Sequence, residues 1–313
     1  MKLVRDLSAV SDELRSGAVA IGNFDGVHRG HARIVERLVA LARQVHGPAV
    51  VFTFDPHPVR ILRPEQAPPP LTWTEHKAQR LAELGVDFVI AYPTDERLLS
   101  LSADDFFDLV VRRSLDARAM VEGPNFFFGR DRRGTIDLLR RMTAAAGIQL
   151  EVVTPVLFEG QIVSSSRIRN LLSEGRVDEA AEMLMRPYRI RGMVTHGAAR
   201  GAKLGFPTAN VNAIDTLIPG VGVYAGRARV NRNWLPAAIN IGPNPTFGDD
   251  ALKVEVHLLG FNEVIYGCPL EVEFLARLRG TERFESVEAL RAQLRQDVKQ
   301  VEQIARRHPP PVE

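Results

Sequence analysis

Cysteine and long apolar runs are almost absent from this chain of 313 residues. Its one cysteine, Cys268, excludes an intramolecular disulfide and a cysteine-based zinc cluster. No stretch approaches the ~18 uninterrupted apolar residues of a transmembrane helix. The first residues, Met1 to Ser11, lack the apolar core of a secretion signal. These absences predict a cytoplasmic protein with no membrane segment.

An excess of charge of one sign is also missing. The 40 Lys and Arg residues nearly balance the 38 Asp and Glu residues, which leaves a net charge of +2. Nucleic-acid binding requires a concentrated basic face, so we expect no nucleic-acid partner, whereas small anionic ligands suit this balance. With 45% hydrophobic residues, the chain has enough apolar material for two domains with separate cores.

The N-terminal part alternates short apolar runs with helical patterns. Between the first two runs, Ile34, Val35, Leu38, Leu41, Ala42 and Val45 recur with helical spacing on one face. This alternation predicts a Rossmann-like α/β domain, with helices on both sides of a parallel sheet. A helical stretch ends near Arg186-Pro187, where proline favours a boundary, so we place the two domains at 1–184 and 185–313. The predicted strands are Ala18–Gly22, Ala49–Phe54, Val86–Tyr92 and Ala117–Gly123.

The C-terminal part is rich in glycine and in short β-type runs. A hairpin turn is predicted at Asn231-Arg232-Asn233, and a final helix is predicted to begin after the N-cap Ser286. Many short strands separated by Gly and Pro turns favour a small antiparallel β-barrel followed by that helix. The predicted strands are Tyr224–Val230, Trp234–Ile241, Val254–Leu259 and Leu270–Leu278.

The most informative motif runs from Gly22 to His31 and reads GNFDGVHRGH. It joins a predicted strand to a predicted helix, and in an open parallel sheet ligands bind at the carboxyl ends of the strands. The helix start offers unpaired N–H groups and a positive dipole end, which suit phosphate. His28 and His31 are three residues apart, so both can face a bound phosphate and donate hydrogen bonds to developing charge.

Two other interpretations of this motif stay open. Asp25, His28 and His31 have a regular spacing that also suits a metal site. A histidine at a helix start can also be a simple cap or a surface residue.

With its Gly22–His31 motif, the sequence resembles the prokaryotic bifunctional riboflavin kinase/FMN adenylyltransferase (FAD synthetase) family. The N-terminal half of that family belongs to the HxGH nucleotidyltransferases. The resemblance implies that the FMN phosphate attacks the α-phosphorus of ATP and that pyrophosphate leaves. It implies that His28 and His31 are catalytic residues. It also implies nucleotide binding by Gly22, Phe24, Asp25 and Gly30.

A second adenylyltransferase signature lies at Ser164–Arg169, where the family usually has I-S-S-T-x-I-R. Hydroxyl groups before a helix cap its start and can hold phosphate oxygens, and arginines add fixed charge. The resemblance implies that Ser164, Ser165, Ser166, Arg167 and Arg169 bind nucleotide. An ordinary Ser-capped helix would look the same in isolation.

The flavin side of this domain is predicted from two segments, TFDPHP at 53–58 and GPNFFFG at 123–129. Both follow predicted strands, and aromatic side chains can stack on an isoalloxazine ring. The resemblance implies flavin contacts by Asp55, Asn125 and Phe128, although phenylalanines are more often part of a core.

The C-terminal domain carries the segment HGAARGAKLGFPTAN at 196–210. Its spacing does not fit a Walker A motif, but a glycine-rich loop with two positive charges suits phosphates. The flavokinase resemblance implies that Gly201, Lys203 and Gly205 bind nucleotide and that Thr208 and Asn210 hold Mg²⁺-ATP. Neutral oxygen ligands suit Mg²⁺ when the phosphates supply the charge.

The segment VEVH at 254–257 matches the part of the family that carries the catalytic base, which implies that role for Glu255. Its carboxylate would take the proton of the riboflavin 5′-hydroxyl during transfer of the γ-phosphoryl group. Arg279 matches the C-terminal signature and is an expected flavin contact.

The implied function is synthesis of FAD from riboflavin in two ATP-dependent steps, with Mg²⁺ as the cation and riboflavin, FMN and FAD as substrates and products. Two alternatives are a barrel that only binds flavin and a flavin-sensing regulator without enzyme activity. The oligomeric state cannot be read from the sequence.

Overall fold

The computed structural model describes residues 1–7, 11–196, 200–244 and 249–310. It divides into two compact units: residues 1–68 with 72–164, and residues 69–71 with 165–313. Among the described residues, no helix combines the length and the apolar character that crossing a membrane requires.

The first unit is an α/β structure. In chain order its elements are β1 (Lys2–Val4), β2 (Ala18–Ile21), α1 (Arg29–Gln44), β3 (Ala49–Asp55), α2 (Pro58–Leu62), α3 (Thr74–Glu83), β4 (Phe88–Pro93), α4 (Glu96–Ser100), α5 (Ala103–Phe106) with a π-helical extension (Phe107–Ser114), β5 (Ala119–Glu122), α6 (Ile136–Ala146), β6 (Gln149–Val152), β7 (Leu157–Phe158) and β8 (Gln161–Ile162).

Its main sheet has six strands in the order β1-β4-β3-β2-β5-β6, and every neighbouring pair is parallel. One core lies between the sheet and α1 with α3, and the other lies between the sheet and α5 with α6. The central strands are buried on both faces, as parallel strands covered by helices must be. The predicted α/β fold is confirmed, as are the four predicted strands and the buried face of α1.

The strand order reverses at β2, because the chain goes from β2 to β3 on one side and returns to β5 on the other. Such a switch point leaves a crevice at the carboxyl ends of the strands, where ligands bind in open α/β sheets. The loops that follow β2 and β5 begin at this crevice, and they carry the Gly22–His31 and Gly123–Gly129 motifs.

The second unit contains a closed antiparallel barrel with the strand order β10-β13-β12-β11-β14-β9. Its elements are α7 (Ser165–Ser173), α8 (Val177–Leu184), β9 (Tyr188–Thr195), α9 (Arg200–Leu204), β10 (Ala209–Asn212), β11 (Gly222–Val230), β12 (Asn233–Asn244), β13 (Asp249–Leu258), β14 (Pro269–Arg279) and α10 (Val287–Arg307). The predicted barrel and the predicted C-terminal helix are both confirmed.

Two local predictions in this unit are also confirmed. Asn231 and Arg232 form a two-residue turn between β11 and β12 with φ values of 49° and 71°, as a type I′ hairpin requires. Ser286 caps α10 by accepting a hydrogen bond from the Ala289 N–H.

The segment before Thr208 differs from the predicted glycine-rich loop, because residues 200–204 form the short helix α9. The Gly205 N–H donates to the Ala202 carbonyl and the Phe206 N–H to the Gly201 carbonyl, which is the Schellman pattern at a helix end. Gly205 has φ +88°, a conformation that only glycine adopts without strain. Ala202 and Leu204 are good helix formers, so the local sequence supports a helical turn inside the motif.

Candidate active sites

The loop after β2 holds a strained backbone. Within four residues, Phe24 (φ 46°), Gly26 (φ 84°) and Val27 (φ 40°) all lie in the left-handed region. A positive φ is a true outlier for a β-branched residue such as Val27, and strain of this kind persists where surrounding packing enforces it. The Phe24 and Val27 side chains are both buried, while Gly22 donates its N–H to the Phe52 carbonyl. The core therefore fixes the path of this loop toward α1.

His28 is the N-cap of α1. Its Nδ1 accepts a hydrogen bond from the His31 N–H at 3.4 Å, and the two imidazole rings stack with centroids 3.7 Å apart. A Cβ on Gly30 would lie 3.1 Å from the His28 ring, so a side chain there would crowd the histidine. No acidic residue occupies the first turn of α1, which leaves the positive end of the helix dipole for an anion.

Asp25 is directed toward the start of α3 and is buried. Its Oδ1 accepts hydrogen bonds from the Thr72 N–H at 3.1 Å and from the Thr72 hydroxyl at 3.3 Å. Among the residues that the structure describes, no group of three or more His, Cys, Asp or Glu side chains is arranged to hold a metal ion. The geometry thus gives the metal alternative at Asp25, His28 and His31 no support.

Lys77 is a buried cation that the sequence did not single out. Its Nζ donates to the Thr53 Oγ1 at 3.3 Å, and the Thr53 hydroxyl donates to the Asn23 carbonyl at 3.1 Å. Burial lowers the pKa of Lys77, and the negative charges of Asp25 and Asp55 oppose that shift. This side chain therefore ties α3 to the end of β3 and to the loop after β2.

Glu122 is a buried carboxyl group at the end of β5, and the sequence did not single it out either. Its Oε1 accepts the Ile21 N–H at 2.8 Å, and the residue is 3% exposed. Burial raises the pKa of Glu122 well above its usual range, against a smaller opposing effect of the Ile21 N–H. A charged residue at the end of a short apolar run gives no signal in sequence that it will be buried.

The three predicted flavin contacts have different surroundings. Asp55, at the end of β3, accepts a hydrogen bond from the Thr74 hydroxyl at 2.6 Å, and Asn125 is exposed. Phe128 is 6% exposed and packs in the core beside Phe106, so little of its ring faces solvent. The more exposed ring belongs to Phe127, and the Arg132 guanidinium lies 4.5 Å from its centre.

The Ser164–Arg169 signature straddles the division between the two units. Ser164 ends the first unit, and Ser165 begins helix α7 of the second. Ser166 is exposed, whereas Arg167 and Arg169 are half-buried, and the Arg169 Nε donates to the Pro69 carbonyl at 2.9 Å. The predicted hydroxyl groups therefore do lie at a helix start.

In the barrel, strand register brings the predicted kinase residues into one row. Glu255 on β13 lies opposite Asn210 on β10 and opposite Asn240 on β12. Opposed residues on antiparallel strands have Cβ atoms about 5 Å apart. Val254 and Val256 are buried inside the barrel, so the Glu255 carboxylate lies on its outer face with the two amides. Asn240 had no assigned role in sequence, because only strand pairing reveals it.

His257 holds the segment that contains Thr208. Its Nδ1 is hydrogen-bonded to the Pro207 carbonyl at 2.7 Å, and its ring meets the Phe206 ring edge-on at 5.6 Å. Thr208 lies beside Gly201 at the start of α9. The side chain of Lys203 lies outside the described residues, so its predicted role stays a prediction.

Arg279, at the end of β14, is held by α10. Its Nη2 donates to the Asp297 Oδ2 at 2.8 Å, and Asp297 is buried. The guanidinium lies 5.6 Å from the Phe284 ring centre. The carboxylate fixes the direction of this predicted flavin contact.

Comparison with known proteins adds independent evidence. The FAD synthetase family model matches residues 10–167, and the riboflavin kinase model matches residues 184–305. The bifunctional riboflavin kinase/FMN adenylyltransferase of Pseudomonas fluorescens is 39% identical over 95% of this chain and 96% of its own length. The Escherichia coli K12 protein of the same description is 34% identical with the same coverage.

Among solved structures, a crystal structure described as a macrolide-efflux protein from Streptococcus pneumoniae has a TM-score of 0.84 and 30% identity. It covers 96% of this chain and 98% of its own, so the likeness extends over both units. The two family models occur in the predicted order, and the Pseudomonas and Escherichia relatives each match 95% of this chain. Both results point to the same family as the sequence motifs. The chain belongs to the family of bifunctional riboflavin kinase/FMN adenylyltransferases.

Proposed function

We propose that the first unit carries the catalytic histidines of FMN adenylylation and that the barrel carries the residues of riboflavin phosphorylation. The observation that supports this proposal is that the two groups of predicted catalytic residues lie in different units. His28 and His31 start the helix after β2, whereas Glu255 lies beside Asn210 in the barrel. The two histidines fall within the segment matched by the FAD synthetase model, and Glu255 and Asn210 fall within the segment matched by the riboflavin kinase model.

In adenylyl transfer, an FMN phosphate oxygen forms a bond to the α-phosphorus of ATP while the bond to pyrophosphate breaks. Because the His28 Nδ1 accepts the His31 N–H, a neutral His28 ring carries its proton on Nε2. That N–H and the positive end of α1 would stabilise negative charge on the phosphates. Gly22, Phe24, Asp25 and Gly30 shape the loop that presents these groups. Ser164, Ser165, Ser166, Arg167 and Arg169 remain predicted nucleotide contacts.

In phosphorylation, the Glu255 carboxylate would accept the proton of the riboflavin 5′-hydroxyl as its oxygen bonds to the γ-phosphorus and ADP leaves. Thr208 and Asn210 offer neutral oxygens for a magnesium ion that arrives with ATP. This donor set fits Mg²⁺, which prefers oxygen ligands and usually relies on substrate phosphates for charge. Gly201, Lys203 and Gly205 are proposed nucleotide contacts, and Arg279 is a proposed flavin contact. ATP consumption in both steps supports a cytoplasmic location.

The test is a chromatographic time course of the purified chain with ATP and Mg²⁺, started from riboflavin or from FMN. The wild type should form FMN before FAD from riboflavin, and FAD from FMN. His28→Ala should stop at FMN. Glu255→Ala should leave riboflavin unconverted but still make FAD from FMN.

Matched controls are His46→Asn and Glu263→Ala, which alter an exposed histidine and an exposed glutamate. Both should keep both activities. Loss of both activities from either site variant, in a folded protein, would refute the assignment. No conversion of either flavin by the wild type would favour a flavin-sensing protein instead.

A further inference from the structure

The strands β2 and β5 pair for only part of their length. Their register includes Ala18 with Ala119 and Val19 with Met120, and then the pairing stops. The Gly22 N–H donates to β3, so by alternation the preceding Ile21 N–H faces β5, where the ladder has already ended. The Glu122 Oε1 takes this hydrogen bond at 2.8 Å, in place of a main-chain carbonyl.

The position of this carboxyl group is chemically unusual. Its neighbours along β5 and across on β2, including Met120, Val121 and Ile21, are buried apolar residues. The Ile21 N–H is its one hydrogen-bond partner, and no cation pairs with it, among the residues that the structure describes. An ionised carboxylate buried without a counter-charge is costly, so the neutral acid is the favoured form.

A neutral carboxylic acid has one hydroxyl donor in addition to its acceptor oxygens. The acceptor is used by Ile21, and the described residues offer the hydroxyl no partner. The second oxygen is not among the side-chain atoms of the described residues that are both fully buried and without a partner, so it is open to a ligand that binds beside it. The group lies in the crevice of the sheet's switch point, where the loops after β2 and β5 diverge.

We propose that Glu122 is a substrate-contacting residue of the adenylyl-transfer site, whose carboxylic acid hydroxyl donates a hydrogen bond to an acceptor atom of the nucleotide or flavin bound in this crevice. Both ATP and FMN offer acceptor atoms, on their rings or on their phosphates, that could take this hydrogen bond. The experiment below shows which of the two substrates is the ligand. The inference rests on the assignment of FMN adenylylation to the first unit.

Three variants at this position test the proposal. Glu122→Gln keeps an acceptor for the Ile21 N–H and a donor for substrate. Glu122→Met has a side chain of similar length that provides neither the acceptor nor the donor. Glu122→Val also removes both groups and has a side chain that is favoured in strands. Each is assayed for FAD formation with ATP varied at saturating FMN and then with FMN varied at saturating ATP. Thermal unfolding and the riboflavin kinase activity of the same chain are measured alongside.

We expect Glu122→Gln to keep both KM values within about threefold of the wild type. Glu122→Met and Glu122→Val should raise the KM of one substrate about tenfold, as the loss of one hydrogen bond of about 1.4 kcal/mol predicts. The substrate affected identifies the ligand, and the kinase activity should not change.

Unchanged KM values for both substrates in a folded Met or Val variant would overturn the proposal. So would a Gln variant that is as impaired as the Met variant, because Gln keeps both hydrogen-bonding functions. The proposed function fails by a separate result, which is normal FAD formation by His28→Ala.

Discussion

At the residue scale, His28 both caps α1 and is proposed to contact phosphate, and two substitutions can separate these roles. Asparagine is a good N-cap, so its side-chain oxygen should replace the Nδ1 acceptor toward the His31 N–H. We expect His28→Asn to keep the stability of the wild type, whereas His28→Ala should lose about 1 kcal/mol.

Both His28 variants should lose FAD formation by about 10²-fold or more, because neither supplies an imidazole to the phosphates. Denaturant unfolding and initial rates measure the two effects. A rate for His28→Asn within threefold of the wild type would mean that the histidine acts only as a cap.

Glu122 gives the first unit a pH-dependent stability with a defined sign. Its pKa is raised by burial in the folded chain, so above the ordinary glutamate range the folded state holds a proton that the unfolded state has lost. Stability then falls as pH rises, by up to about 1.4 kcal/mol per pH unit, until the raised pKa is passed.

Glutamine does not titrate, so Glu122→Gln should gain stability relative to the wild type as pH rises from about 5 to about 8. Denaturant unfolding of both proteins at each pH measures the difference. A constant difference across that range would show that the Glu122 carboxyl is ionised in the folded protein.

At the scale of elements, one buried lysine connects three segments of the first unit. Only five of the 40 basic residues are lysines, and Lys77 is buried where it joins α3, Thr53 of β3 and the Asn23 loop. A compact ammonium fits such a place better than the larger, planar guanidinium of arginine.

Replacement of Lys77 by methionine should leave the loop after β2 less well fixed. We expect Lys77→Met to lower FAD formation from FMN about 10- to 100-fold, since small displacements of positioning groups have effects of this size. Riboflavin kinase activity in the same chain should persist. Lys2→Met, at an exposed lysine, is the matched control and should change neither activity. Equal losses of both activities would mean that Lys77 supports folding in general.

Some strands and helices of this fold could be predicted from the sequence, and others could not. Apolar runs and helical spacing were sufficient for the four central strands, the buried face of α1 and the main barrel strands, because burial itself creates those patterns. The edge strands β1 and β6 were not predicted, since they are short and only partly buried. Helix α9 was missed because three glycines in ten residues indicated a loop.

The candidate sites show the same limit. Motif spacing singled out His28 and His31, and the family resemblance implied a role for Glu255. The row of Asn210, Glu255 and Asn240 could not be predicted, because it depends on how β10, β12 and β13 pair. The burial of Lys77 and Glu122 could not be predicted either, because charged residues are usually exposed.

At the scale of the whole molecule, the proposed catalytic groups lie in separate compact units, His28 in one and Glu255 in the other. A variant impaired in one unit therefore keeps the other unit's residues intact. A mixture of His28→Ala and Glu255→Ala chains should make FAD from riboflavin, although neither chain does so alone. The first chain supplies FMN to solution and the second adenylylates it.

The mixture should show a lag before FAD appears, because FMN must first accumulate toward the KM of the second chain. Adding FMN at the start should abolish the lag, and raising the share of the His28→Ala chain should shorten it. If the His28→Ala chain forms no more than one FMN per chain and the mixture makes no FAD, although the Glu255→Ala chain adenylylates added FMN, then FMN formed in the barrel does not leave the chain. Transfer of FMN would then take place within one molecule, and the two units would form one coupled enzyme.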